Sequence, residues 1–149
     1  MIKGLATVTV WSTDQERDLA FFTEKLGFEV RGDISTGTSR RITVGAKGQP
    51  DVELTLMRTD DSGLDPESAE ALARLVGTGV LGAGEMRTDD CRAAYEELRA
   101  RGVEFLQEPR ERPYGTEAVF RDESGNRYSL TERRTVGSEP GREWSEVCD

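Results

Sequence analysis

The sequence predicts an α+β protein assembled from two copies of one strand–helix–three-strand module. Three observations predict it. Thr13-Asp14, with Arg17 three residues beyond the aspartate, recurs as Thr88-Asp89 with Arg92, a shift of 75 residues. Each aspartate is followed 13 residues later by a glycine, Gly27 and Gly102. After each glycine a strand begins, Phe28-Glu29-Val30 in one copy and Val103-Glu104-Phe105 in the other.

The elements follow in order. Ala6, Val8 and Val10 alternate with Thr7, Thr9 and Trp11, which marks a strand with two different faces. Asp14 is placed to cap the first helix, with Leu19, Phe22 and Leu26 on one helical face and Gly27 at the left-handed exit. Strands are expected near Val30–Ile34, Arg40–Val44 and Val52–Met57, the last two separated by the loop Gly45–Pro50. Asp65-Pro66 and the alanine-rich run behind them predict a linker helix over 65–76, ended by Gly77.

The second copy repeats the pattern. A strand near Leu81–Arg87 precedes a helix capped by Asp89, whose apolar face is Cys91, Ala94, Tyr95 and Leu98. Strands near Val103–Gln107, Glu117–Arg121 and Arg127–Thr131 follow, with Gly125-Asn126 as the turn between the last two. Module 1 thus covers about 1–60 and module 2 about 79–132, within one domain over 1–132. Residues 133–149 form a polar extension that Trp144 is expected to dock.

Bulk composition narrows the function classes. The 149 residues carry 29 acidic and 20 basic side chains, a net charge of −9. That balance argues against nucleic acid as a partner, which calls for clustered Lys and Arg. It suits either a cationic small ligand or plain solubility. No apolar run is long enough to span a membrane, and the N-terminus lacks a signal pattern. With only Cys91 and Cys148, the expectation is a reduced, cytoplasmic protein. The chain contains no histidine. A Ser-His-Asp triad is therefore impossible, and the commonest ligand for zinc, nickel and ferrous iron is missing.

Several segments carry a resemblance. Asp14 through Phe28, with Phe21-Phe22 and Leu26-Gly27-Phe28, is similar to the first helix and its exit in the vicinal oxygen chelate superfamily, the glyoxalase/bleomycin-resistance/dioxygenase group. Phe120–Leu130 resembles that family's terminal hairpin, where Asp-Pro-x-Gly-Asn is usual and Glu123 here replaces the proline. Asp89–Arg92 and Glu108-Pro109-x-x-x-Pro113-Tyr114-Gly115 are similar too, so the resemblance runs from about Leu5 to Glu132. It implies paired βαβββ modules forming a cupped, half-barrel mixed sheet with helices on the outer face. It also implies a ligand in the cup and a homodimer.

The same resemblance locates the family's metal ligands, one on the first and one on the last strand of each module. They fall on Thr7, Glu53, Gly82 and Ser129. One carboxylate with two hydroxyls does not make a zinc, nickel or iron site. No metal and no cofactor are therefore expected, and metal-dependent lyase, dioxygenase, epimerase and thiol-transferase activities are argued against.

Strand alternation places Thr7, Thr9, Trp11, Glu53, Thr55 and Met57 on one sheet face, opposite the core. Gly82, Gly84 and Met86 share that register in the second copy, as do Arg127, Ser129 and Thr131. Tyr114 lies on a loop that can cover the cup. The candidate ligand-binding set is Thr7, Thr9, Trp11, Glu53, Thr55, Met57, Met86, Tyr114, Arg127 and Ser129. Plain readings stand beside each: Trp11 as packing, Glu53 as a solvated carboxylate and Tyr114 as a turn aromatic; Arg41, Arg121 and Arg127 are candidates to hold an anion, with surface charge as their plain reading. Phe21 and Phe22 are assigned to packing.

The leading reading is a metal-free small-molecule binding protein of the bleomycin-resistance type that sequesters an antibiotic or natural product. The alternative is a metal-independent lyase or isomerase acting on a small carbonyl compound, with Glu53 as catalytic base. A third is a vestigial cup on a protein-contact domain.

Overall fold

A computed structural model describes residues 1–61 and 63–134. Trp144, Cys148 and all but the first residues of the polar extension lie outside the described residues. The chain is α+β, with two four-stranded mixed sheets and the strand–helix–three-strand order in each half. It forms two compact units. Among the described residues, one comprises Met1–Ala83 together with Asp122–Asn126, and the other comprises Gly84–Arg121 and residues 127–134.

In the first unit β1 (Thr7–Ser12), β2 (Glu29–Thr36), β3 (Ser39–Gly45) and β4 (Glu53–Arg58) lie in the order β1-β4-β3-β2. β1 and β4 run parallel, and the other neighbours are antiparallel. Helix α1 (Gln15–Ala20) passes directly into a π-helical turn, Phe21–Lys25. Asp14 caps it as expected, its carboxylate accepting from the Arg17 amide at 3.2 Å. Gln15, buried at the start of α1, donates to the Arg40 and Leu56 carbonyls of β3 and β4. Val10, Phe21, Phe22, Ile42, Val44 and Leu56 make the core of this unit, each at most 2% exposed. Phe21 and Phe22 meet edge to face.

Helix α2 (Pro66–Gly77) begins where the Asp65-Pro66 signal places it, with the Ser68 amide donating to Asp65 at 2.9 Å. Its end differs from expectation. Gly77 is still helical, Thr78 is the cap, and the left-handed residue is Gly79, with φ of 74°. An alanine-rich helix tolerates one terminal glycine, and only a residue with positive φ reverses the chain.

In the second unit β5 (Gly82–Arg87), β6 (Glu104–Arg112), β7 (Gly115–Arg121) and β8 (Arg127–Arg133) lie in the order β5-β8-β7-β6. Helix α3 (Cys91–Ala100) packs against β6, β7 and β8. Tyr95, Phe105, Phe120 and Tyr128 form a run of ring contacts beneath it, with centroids 4.7 to 5.7 Å apart. The buried Cys91 thiol donates to the Leu130 carbonyl at 3.4 Å, and burial pushes that thiol up.

The expected cap of α3 needs correction. Asp90, not Asp89, accepts from the Ala93 amide, at 2.9 Å. The repeat therefore loses register by one residue between its helix start and its exit glycine. Gly27 lies 13 residues after its cap, and Gly102 lies 12 after its own. The π-helical turn in the first helix, where the Leu26 amide reaches back five residues to the Phe21 carbonyl, accommodates the extra residue.

Candidate functional site

The first-unit sheet has two chemically different faces because its strands alternate. Parallel pairing sets Thr7 against Glu53, Thr9 against Thr55 and Trp11 against Met57. Paired residues of neighbouring strands project to the same side, so all six predicted first-module residues share one face. Antiparallel pairing of β3 adds Thr43, set against Thr55, and of β2 adds Gly32, set against Thr43. Thr43 was visible in the sequence as the alternating partner of Ile42 and Val44, a signal that the reading of β3 did not use.

This face is hydroxyl-rich; Glu53 lies opposite Thr7 of β1, and the pairings of Glu29 with Gly45 and of Ile34 with Arg41 place Glu29 and Arg41 on the same face. Thr43 and Thr55 are buried at its centre, and Glu53, Trp11 and Met57 are half-buried. The Thr7 and Thr55 hydroxyls share a hydrogen bond of 2.6 Å. Among the described residues, no hydrogen bond or ion pair reaches the Glu53 carboxylate.

Arg31 shapes one border of the face. It sits at a bulge in β2, between Val30 and Gly32. Its guanidinium donates to the main-chain carbonyls of Ala46, Gln49, Val52 and, at 3.4 Å, Pro50, which fastens the β3–β4 loop leading into Glu53. Glu29 lies 3.5 Å from the same group. The guanidinium crosses Gly45 so closely that a Cβ there would overlap it. Nothing in the local sequence distinguishes Arg31 from any other strand arginine; its role depends on the bulge.

The turn Asp122–Asn126 holds the far end of β1. Asp122 Oδ1 accepts from the amides of Ser124, Gly125 and Asn126, and Oδ2 accepts from the Asn126 side chain at 2.9 Å. Asn126 in turn donates to the Trp11 carbonyl at 2.7 Å, and the Thr13 amide donates to Ser124 at 2.9 Å. Glu123, the residue in the family's proline position, is paired with Lys25 at 2.9 Å and with Arg17 at 3.1 Å. Lys25 holds the Glu123 carboxyl below the usual glutamate range.

Beneath that turn lies a buried polar cluster absent from the sequence reading. Asp18 is 1% exposed. Its Oδ2 accepts from Ser12 at 2.5 Å and from Ser124 in a still shorter contact, and its Oδ1 has no hydrogen-bond partner among the described residues. Burial pushes the Asp18 carboxyl up to about 6, against the pull of the two serine hydroxyls, and the nearby Asp122 charge pushes the same way. A helical aspartate four residues beyond a cap reads as solvated surface, which is why pattern reasoning passes it by.

The second-unit candidates are placed separately. Antiparallel pairing sets Ser129 against Val119 and Arg127 against Arg121. Ser129 is half-buried and Arg127 exposed, while Arg121 pairs with Glu104 at 3.6 Å. Met86 is half-buried on β5. Tyr114 occupies the β6–β7 turn, and its hydroxyl donates to Glu117 at 2.9 Å. Burial raises the Tyr114 hydroxyl. A groove of about 420 Å³ lies elsewhere in this unit, lined by Tyr95, Arg99, Val103, Phe105, Leu106, Gln107 and Glu108. None of its lining residues is a predicted site residue.

The residues at the family's metal positions do not fit a metal. Gly82 offers no donor, the Thr7 hydroxyl is committed to Thr55, and Glu53 is the one anionic group. Among the described residues no three Cys, Asp or Glu side chains converge on a common point. Among the same residues, no helix is long and apolar enough to cross a membrane.

Fold and site together define a class. Residues 4–130 match the Glyoxalase/Bleomycin resistance protein/Dioxygenase superfamily, and the chain belongs to that family. It is 47% identical to UcmS2, whose crystal structure superposes with a TM-score of 0.85 over 89% of this chain and 99% of that one. It is 28% identical to TnmS3, an antibiotic binding protein from Streptomyces sp. CB03234, with a TM-score of 0.71 over 89% of this chain and 98% of that one. Among curated sequences, the uncharacterized protein YetH of Bacillus subtilis (strain 168) is 32% identical over 133 residues, covering 89% of this chain and all of YetH.

Proposed function

We propose that this chain is a metal-free small-molecule binding protein that sequesters an antibiotic or related natural product in the cytoplasm, as a homodimer. The observation that carries the reading is the first-unit sheet face: hydroxyls and an aromatic ring around the Glu53 carboxylate, which has no partner and no chelating set around it among the described residues. Such a face binds by apolar burial with a few oriented polar contacts. The likeness to TnmS3, described as an antibiotic binding protein, supports the same reading. Thr7, Thr9, Trp11, Glu53, Thr55 and Met57 form the proposed binding wall of the first unit, and Met86, Tyr114, Arg127 and Ser129 are the second unit's own proposed binding residues.

A thermal-shift screen of aromatic natural products tests it. A ligand at one hundred times its Kd adds about 2.7 kcal/mol to the folded state, which is a readily measured shift. Trp11→Ala is expected to weaken the hit about thirtyfold or more. No stabilising compound, or binding indifferent to Trp11→Ala, refutes the proposal.

A second reading rests on Glu53, half-buried beside the threonine hydroxyls and unpaired among the described residues. That is the arrangement of a general base in a metal-independent lyase or isomerase acting on a small carbonyl compound. Here Glu53→Gln abolishes turnover while the melting temperature is unchanged. Turnover surviving in Glu53→Gln rules this reading out.

A further inference from the structure

Two charges on the proposed binding face bear on its ligand: Arg41 is exposed on β3, two residues before Thr43, and Glu53 is the less exposed of the two. Glu53 is half-buried, and among the described residues nothing pairs with its carboxylate. The arginine that borders it on this face is already committed. Arg31 spends its guanidinium on four main-chain carbonyls and lies 3.5 Å from Glu29, and its side chain is only 12% exposed. The Thr7 hydroxyl, cross-strand from Glu53, is engaged with Thr55. Burying this carboxylate further beneath a ligand without a compensating positive charge carries a desolvation cost.

The aromatic surface lies at a fixed interval. Glu53 is paired with Thr7, and Trp11 is four residues further along β1, beside Met57. At the rise of a strand, that is roughly 13 Å between the two backbone positions.

We infer that the ligand of this face is an elongated molecule with a protonated amine seated on the Glu53 carboxylate and a planar ring lying along Trp11 and Met57. The inference rests on the binding reading above and adds the sign of the ligand's charge and where that charge sits. A charge-assisted hydrogen bond in a half-buried setting is the strong interaction available here, and the chain's net charge of −9 favours approach of a cation.

Three probes with one skeleton test it: a naphthyl group joined through a four-carbon chain to an ammonium, a hydroxyl or a carboxylate. Calorimetric titration of the full chain at pH 7 and low salt is expected to show the ammonium probe binding about tenfold or more tighter than the hydroxyl probe, with the carboxylate weakest. Glu53→Gln is expected to bring the ammonium and hydroxyl probes to equal affinity. Trp11→Ala is expected to weaken both. Glu67→Gln, which removes the same charge from the exposed start of α2, is expected to leave the preference intact. Thermal melting confirms that each variant is folded. Equal affinity for ammonium and hydroxyl probes, or a preference that survives Glu53→Gln, overturns the inference while binding that still depends on Trp11 keeps the binding reading standing. Absence of binding by all three probes, or binding indifferent to Trp11→Ala, overturns both.

Discussion

At the scale of single residues, Asp18 carries the sharpest consequence. Its folded carboxyl holds the proton up to about 6, well above its ordinary value of 3.8, because burial penalises the charge. The folded state therefore binds this proton more tightly than the unfolded state does. The stabilisation is fully present below about pH 4 and is lost as the pH rises through about 6. A displacement of that size corresponds to about 3 kcal/mol at neutral pH. Urea midpoints at pH 4.5 and 7 check it, since wild type is expected to lose stability over that range relative to Asp18→Asn. Identical slopes for the two proteins exclude it. Residue types showed where the cap Asp14 sits, because a cap needs only local chain geometry. They did not show Ser124 converging on Asp18 and Ser12, because the Ser124–Asp18 contact joins positions more than a hundred residues apart in the sequence.

Elements were more legible than residues. Alternation on β1 and β4 predicted the shared face correctly, since side-chain period and parallel register together leave no freedom. The repeat misled at α3, where the shared Thr-Asp spelling pointed to Asp89 and the helix uses Asp90. The π-helical turn explains the slip, and a one-residue change in helical winding leaves no mark in the residue pattern. Asp90→Ala is expected to cost about 1 kcal/mol, and Asp89→Ala close to nothing, in denaturant unfolding. Gly45 makes a second test at this scale. A methyl group there collides with the Arg31 guanidinium, so Gly45→Ala is expected to destabilise by about 1–3 kcal/mol. In an Arg31→Ala background that cost shrinks, and additive costs exclude the contact.

At the scale of the whole molecule, the α+β class and the doubled module were readable because each module repeats its turns, caps and alternation. The structure shows the β7–β8 turn, Asp122–Asn126, grouped with the first unit although its flanking strands belong to the second. Sequence spelling marked this turn as a hairpin and gave no hint that its acceptors would be Trp11 and Asp18 or its ion-pair partners Lys25 and Arg17. Exposed apolar side chains, Leu5 at 74%, Ile34 at 65% and Val80 at 60% among them, remain on the first unit. Self-association is the expected use of such surface, and light scattering is expected to return about twice the chain mass of 16.5 kDa. A monomeric mass at micromolar concentration excludes the dimer.

The decisive measurement is a crystal structure of the chain with the compound selected by thermal shift, grown from chelator-treated protein. The compound is expected to lie on the threonine face, in contact with Trp11 and within hydrogen-bond distance of Glu53, with no ion between them. A compound seated in the Tyr95–Glu108 groove, or bridged to Glu53 by a retained transition metal, contradicts it.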